Sequence, residues 1–176
     1  RKEQILNAKP NLAHISIASL EEDYDVHVIT QNIDDLHERA GSNKIIHLHG
    51  EILKARSSND PCLIINHSKD LKLGDKAEDG SQLRPHIVWF GESVPEMDRA
   101  TQIISKAEII IVVGTSLNVY PAAGLIQYAP TNATFFIIDP AEVNHSSLRK
   151  VTFLRTTATK GIPEIVNLLM KEAKVV

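Results

Sequence analysis

Along this chain the apolar residues follow two alternating rhythms: short unbroken runs, and clusters spaced three or four positions apart. Val26-His27-Val28-Ile29, Lys44 to Leu48, Glu108 to Val113 and Thr134 to Ile138 are runs of strand length. The third carries five consecutive β-branched residues, Ile109 to Val113. Runs apolar at every position imply burial on both faces, the mark of a parallel sheet, and 108–113 is its expected central strand. Helical spacing fills the intervals. Arg1 to Asn7 reads as the tail of a helix stopped by Pro10. Asn11 caps a second helix whose mixed apolar face is Leu12, Ile15, Ile17, Ala18 and Leu20, running to about Glu22. Asp34 to Arg39 is a short helix capped by its own Asp34 and stopped by Gly41. Pro95 to Lys106 turns Met97, Ala100, Ile103, Ile104 and Ala107 inward, and Pro121 opens a helix to about Ala129. Gly161 to Lys174 closes the chain through Ile162, Ile165, Val166, Leu168 and Leu169. Strand and helix in this order predict a doubly wound α/β fold.

The rhythm fails between Glu51 and Arg84, which are polar around one apolar run, Leu63-Ile64-Ile65. A connection of that length is expected to be a small module or a functional insertion. The chain therefore divides into a main domain, residues 1–50 and 85–176, and an inserted module, residues 51–84.

Composition changes this picture little. With 176 residues, 43% hydrophobic and 23% charged, the chain fits one globular domain with a sizeable core. No apolar run approaches the roughly 20 residues that span a bilayer, and no signal-peptide pattern opens the sequence. A single cysteine, Cys62, excludes an internal disulfide framework and suits a reducing cytoplasm. A formal charge of -3 gives no general electrostatic reason to bind nucleic acid.

Candidate chemistry gathers where strands end, because a parallel sheet binds ligands outside the carboxyl ends of its strands. Gln31, Asn32 and Asp34 follow one strand and offer paired donors and acceptors for an amide or sugar hydroxyls, or else simply cap a helix start. His49 stands between a strand end and Gly50, where an imidazole can serve as general base. With eight histidines in the chain, its neighbours alone single it out. Gly114-Thr115-Ser116 follows the 108–113 run and reads equally well as a phosphate or ribose turn or as a helix cap. Asp139, after the 135–138 run, is placed either to accept from a ribose hydroxyl or to cap.

Taken in order, Thr30-Gln31-Asn32-Ile33-Asp34, Leu36-His37-Glu38-Arg39-Ala40-Gly41, Leu48-His49-Gly50, Trp89-Phe90-Gly91-Glu92 and the run Gly114 to Ala123 resemble the sirtuins, the NAD-dependent protein deacylases. The resemblance covers nearly the whole chain. The stretch from Arg84 to Glu92 is most similar to the bacterial and mitochondrial class III branch. It implies a Rossmann-like sheet, NAD as cofactor, and acyl-lysine proteins or peptides as partners, with a monomer the default expectation. By the same resemblance His49 is the catalytic base, and Gln31, Asn32, Ile33 and Asp34 hold nicotinamide and its ribose, Asp34 facing the carboxamide. Asn32 and Asp34 thus count with His49 as catalytic. Gly114, Thr115 and Ser116 bind phosphate and ribose, Ile137, Ile138 and Asp139 the adenosine end, and Ala158 adenine through its backbone. Phe90, Gly91 and Glu92 on one side and Asn118, Val119 and Tyr120 on the other flank an acylated peptide added as a strand. Val88, Phe90 and Val119 line an apolar pocket that excludes water. Products are free lysine, nicotinamide and O-acyl-ADP-ribose.

Two departures from the family pattern stand out. Most sirtuins hold a structural zinc on two Cys-x-x-Cys pairs after the His-Gly. Here the first pair is replaced within Arg56-Ser57-Ser58-Asn59-Asp60, and Cys62 with His67 falls short of four ligands. The module is expected to be zinc-free and held by Leu63, Ile64 and Ile65 and its own hydrogen bonds. The family also carries, ahead of the segment that Arg1 opens, a strand with a Gly-Ala-Gly-type loop, and the Tyr and Arg that select acidic acyl groups in class III. An alternative of another class is a catalytically silent NAD- or ADP-ribose-binding module. A generic dehydrogenase is disfavoured, since no Gly-x-Gly-x-x-Gly follows any strand.

Overall fold

A computed structural model describes residues 2–115, 122–143, 146 and 148–173. Helices α1 (Lys2–Asn7) and α2 (Leu12–Ser19) come first, followed by β1 (Val28–Thr30), α3 (Leu36–Ala40) and β2 (Ile45–His47). Next come β3 (Gly50–Ser57), β4 (Ile64–Asn66), β5 (Leu83–Ile87) and α4 (Met97–Ile104). The chain closes with β6 (Ile109–Val113), β7 (Thr134–Ile138), β8 (Val151–Leu154) and α5 (Ala158–Ala173). Among the described residues the parallel strands form two groups: β1 beside β2, and a sheet in the order β6-β7-β8. No described helix is long and apolar enough to cross a membrane.

Local signals account for the element ends. Asn11 accepts from the N–H groups of Ala13 and His14, while its own N–H reaches His14 Nδ1, a reciprocal cap on α2. Gly41, at φ 103°, ends α3 in the left-handed conformation that costs glycine little. Arg39 donates to the carbonyls of Ala8 and Ile5, satisfying the last turn of α1 from a distant helix.

β6 alternates its contacts. Ile109, Ile111 and Val113 pack on the cluster of Ala13, Phe136, Ile138, Ile162, Ile165, Val166 and Leu169, which joins α2 and α5 to the sheet. Ile110 turns the other way, toward Ile46, Leu48, Ala100, Ile104 and Leu125. Val112 joins Ile137 and Val143. Both faces of the strand are covered, as its apolar run implies. Among the described residues, however, β6 is paired on one side, with β7, and β7 holds the middle of the order β6-β7-β8. An apolar pattern reports which faces are covered and carries no information about edges.

Three other expectations change. The segment from Ala122 to Tyr128 is a 3₁₀-helix rather than an α-helix, and Pro121, its expected start, lies outside the described residues. β8, unforeseen, pairs in parallel with β7 from Val151 to Leu154. On α2, Leu12 and Ile15 are exposed, and Ala13 and Leu20 provide its buried contacts.

The inserted region is not formless. β3 pairs antiparallel with both β4 and β5, giving the order β4-β3-β5 from Gly50 to Ile87. Its buried residues are Ile52, Ala55, Ser57, Leu83 and Ile87. Ile64 and Ile65, expected to hold the module together, are exposed. At its tip Ser57 is 2% exposed, with its hydroxyl 2.7 Å from Asp79 Oδ2 and 2.6 Å from Ser81 Oγ. The same hydroxyl accepts from the N–H groups of Asn59 and Asp60. Hydrogen bonds from the Ser57 hydroxyl and from the hydroxyl and N–H of Ser81 hold the Asp79 carboxyl below the usual carboxylate range.

Where module and main domain meet, Gly50 has φ +76°, and a Cβ there would stand 2.2 Å from the His86 carbonyl oxygen. Neither backbone can yield without breaking the β3–β5 ladder. Gly50→Ala should therefore cost about 2–4 kcal/mol, combining left-handed strain with overpacking. Urea denaturation midpoints of the two proteins check this.

Candidate functional site

The site forms where β1 ends. Thr30 is buried, and its Oγ1 accepts from the N–H of Asn32, turning the chain immediately after the strand. Each of the next carbonyls then finds a specific donor. Thr30 O accepts from Leu48 N at 2.9 Å, and Gln31 O lies 3.0 Å from His49 Nδ1. Asn32 O lies 3.1 Å from His47 Nδ1, and Ile33 O accepts from Ile52 N at 2.9 Å. With the backbone so occupied, the side chains of Gln31 and Asn32 make no hydrogen bond to another described residue, leaving amide donors and acceptors for a ligand. Asp34 spends one oxygen on the N–H of Leu36, capping α3 from one residue further upstream than the cap position. Its second oxygen carries no hydrogen bond to a described residue.

His49 is fixed from two sides. A carbonyl oxygen only accepts, so Nδ1 of His49 must carry the proton that reaches Gln31. In the neutral ring Nε2 then holds the lone pair that a general base needs. Its own carbonyl accepts from Val88 N at 2.9 Å, coupling the ring's position to the strand that leads into Trp89 and Phe90.

That second segment is a stapled turn. Glu92 receives both Arg84 guanidinium nitrogens, at 2.8 and 3.1 Å, together with the N–H of Trp89 at 3.0 Å. Arg84, the Trp89 N–H and the nearby Arg56 hold the Glu92 carboxyl below its ordinary range. Its carboxylate is thus committed to shaping the loop. Phe90 is fully exposed and Trp89 half exposed, an apolar surface that the described residues leave open.

The expected adenosine end is of a different character. Gly114 has φ +59°, and a Cβ there would meet nothing within 4 Å, so the turn after β6 is open to close approach. Ile137 and Ile138 are 0% and 1% exposed, so only their main chain can reach a ligand. Asp139 Oδ1 accepts from Ala141 N at 2.7 Å, an Asx-type turn, and no described helix begins there for it to cap. Ala158 opens α5, whose first turn comes close to β7 because Gly161 has no Cβ to strike Ile138 at 2.7 Å. Of the remaining candidates, Thr115 is engaged within the chain, while Ser116, Asn118, Val119 and Tyr120 lie outside the described residues.

The donor set in the module does not fit a structural metal. Ser57 and Asp79 satisfy each other, Asp60 Oδ1 accepts from Cys62 N, and Cys62 itself is exposed. Among the described residues one trio, Glu38, His47 and Glu51, brings side-chain atoms within 4.8 Å of one another. There His47 Nε2 is already 2.7 Å from Glu38 Oε1, so a proton occupies the space between them.

The backbone role of His47 and the staple of Arg84 were not anticipated from sequence. One signal for the first was present: residues two apart along an extended segment share a side, and His47 and His49 are two apart.

Known proteins with the same pattern are numerous. The model of the Sir2 family matches residues 1–121. An NAD-dependent protein deacylase of Bacteroides thetaiotaomicron is 50% identical over 176 residues, covering 97% of this chain and 75% of that one. A Sir2 homologue mutant solved with ADP-ribose superposes with a TM-score of 0.87 at 37% identity, covering 100% of this chain and 73% of that one. A Sir2 homologue solved with NAD gives 0.83 at 36% identity, covering 97% and 69%. A family match over more than half the chain, half-identical sequence in a relative and a shared fold agree with the turn after β1 and with His49: the chain belongs to the Sir2 family.

Proposed function

We propose that this protein removes acyl groups from lysine side chains of proteins in an NAD-dependent reaction. The observation that carries the reading is the His49 ring. Its Nδ1–H is committed to the Gln31 carbonyl, which leaves Nε2 to act beside a turn whose amide side chains are unengaged. The relative from Bacteroides thetaiotaomicron bears the name of this activity, and related structures hold NAD or ADP-ribose.

The residues fit NAD by the chemistry of their donors. Gln31 and Asn32 present amides suited to a carboxamide or ribose hydroxyls, and Asp34 keeps one oxygen to accept from an amide N–H. The open turn at Gly114 admits a phosphate against backbone N–H groups. When bound, NAD supplies an electrophilic ribose carbon and nicotinamide as the leaving group. His49 Nε2 takes the proton of a hydroxyl brought against it, and the Gln31 carbonyl stabilises the resulting imidazolium. The loop stapled by Glu92 presents main-chain groups to an extended peptide, with Val88 and Phe90 beside its acyl chain. Val119, Asn118 and Tyr120 complete that wall by resemblance.

The module acts as a metal-free support, with the Ser57–Asp79–Ser81 knot tying its tip. An exposed Cys62 thiol suits the reducing cytoplasm, where we place the protein. By resemblance to class III, its acyl substrates include succinyl and malonyl as well as acetyl groups.

If His49 is the base, His49→Ala in the intact protein should lower deacylation by about two to four orders of magnitude. Nicotinamide exchange should fall much less. Single-turnover and exchange assays on one acyl peptide check this. Near-normal turnover would remove the assignment, and NAD binding without turnover in the parent would leave a silent binding module.

Asp79→Ala should lower the melting temperature at pH 7, while a chelator leaves the parent unchanged. Because the folded-state pKa of Asp79 is depressed, its stabilisation is present above the ordinary carboxylate pKa and fades as pH falls through the lowered value. The parent and variant melts should therefore converge as pH falls below the ordinary carboxylate pKa and through the lowered one. One tightly held zinc per chain would refute the metal-free reading.

Comparison of kcat/KM on a peptide carrying acetyl-, malonyl- or succinyl-lysine tests the acyl reading. The acidic groups should be removed at least as efficiently as acetyl, and a clear acetyl preference would return the protein to the ordinary deacetylases.

A further inference from the structure

His47 and His49 look alike in sequence, yet their rings are held in different ways. Among the described residues His49 has an acceptor on one side, the Gln31 carbonyl at Nδ1. His47 has acceptors on both: the Asn32 carbonyl at Nδ1, 3.1 Å away, and Glu38 Oε1 at Nε2, 2.7 Å away. Neither a carbonyl oxygen nor a carboxylate can donate, so a ring that serves both must carry two protons. The His47 side chain is 8% exposed, while that of Glu38 reaches the surface at 39%.

We propose that His47, as an imidazolium clasped between Glu38 on α3 and the Asn32 carbonyl, is a positioning residue that sets the NAD-binding turn and loosens it when deprotonated. This rests on the reading of Gln31 to Asp34 as the nicotinamide-ribose segment. His47 touches no ligand in this arrangement. It acts through the backbone of Asn32, whose side chain is one of the amides left to the cofactor. Loss of the Nε2 proton would set a lone pair against the Glu38 carboxylate, and one partner would have to turn away.

The charges around the ring agree with this assignment. Burial alone would push His47 down, but the hydrogen bonds to Glu38 and Asn32, with the charges of Glu38 and of Glu51 on β3, outweigh it and hold its pKa above the ordinary value. Burial likewise opposes ionisation of Glu38, and the bond from His47 overcomes it, keeping that carboxyl below its usual range. His37 on α3 is the neighbouring imidazole: burial, and then His14 and His47, lower its pKa and so favour its neutral form. The sign follows. A raised folded-state pKa means the clasp is fully formed below the ordinary histidine value and is lost as pH rises through the raised one.

The test uses the intact protein and two readouts that need no turnover: NMR titration of the His47 imidazole and calorimetric Kd for NAD from pH 6 to 9. KM for NAD and kcat on an acyl-lysine peptide run in parallel. In the parent, Kd and KM for NAD should weaken by about three- to tenfold, the worth of roughly one hydrogen bond, as His47 titrates at a midpoint above about 6.5. kcat should show no step there. Glu38→Gln keeps a partner that can donate to a neutral ring, so the His47 midpoint should fall and the step in NAD affinity should vanish. His47→Leu should bind NAD about three- to tenfold more weakly than the low-pH parent at every pH; should that variant not fold, Glu38→Gln carries the test alone. A parent whose NAD affinity is flat across the His47 titration overturns the proposal. So does a His47→Leu protein with altered melting temperature but NAD affinity within twofold of the parent. Absence of deacylation with the affinity step intact would count against the proposed activity and not against the clasp.

Discussion

The carbonyl oxygens of Thr30, Gln31, Asn32 and Ile33 must all be satisfied as the chain leaves a buried strand, and the site is the result of how that is done. A turn of this kind could use its own side chains as donors, as many loops do. Here the donors come from outside the turn, from two imidazoles and two backbone N–H groups on the segment from His47 to Ile52. That arrangement frees the amides of Gln31 and Asn32 and fixes the tautomer of His49 in one stroke. It also requires the segment after β2 to lie alongside the turn, and the β1–β2 pairing, Thr30 opposite His47, provides that register.

The same requirement explains the fold's unusual seam at Gly50. The chain must pass from the parallel pair into an antiparallel module within one residue of His49, and the His86 carbonyl crowds the crossing. Only a residue without a Cβ can stand there at positive φ. The module therefore does more than decorate the sheet: β3 supplies the Ile52 N–H to the turn, and β5 leads into Val88, which holds the His49 carbonyl.

What could be read from sequence was what depends on neighbours in the chain. The cap at Asn11, the stop at Gly41, the faces of β6 and the prominence of His49 all rest on residues a few positions apart. The three-stranded module was hidden because its strands are polar, edge-exposed and joined by long loops; Leu63-Ile64-Ile65 drew attention while Ile52, Ala55 and Leu83 provide the burial. β8 was hidden because Val151 to Leu154 is short and exists as a strand only by pairing with β7. Of the site, Gln31, Asn32 and His49 meet around one turn, but the commitment of Glu92 to Arg84, eight residues away, depends on a contact that spacing does not encode.

The knot of Ser57, Asp79 and Ser81 has a consequence for the conditions the protein can meet. A module tip held by thiolates around a metal is open to peroxide, to thiol exchange and to competition from metal-binding partners, and any of these can unfasten it. Hydroxyl and carboxylate oxygens undergo none of those reactions. The bonds among Ser57, Asp79 and Ser81 are of that second kind, so oxidants and chelators have nothing in them to attack.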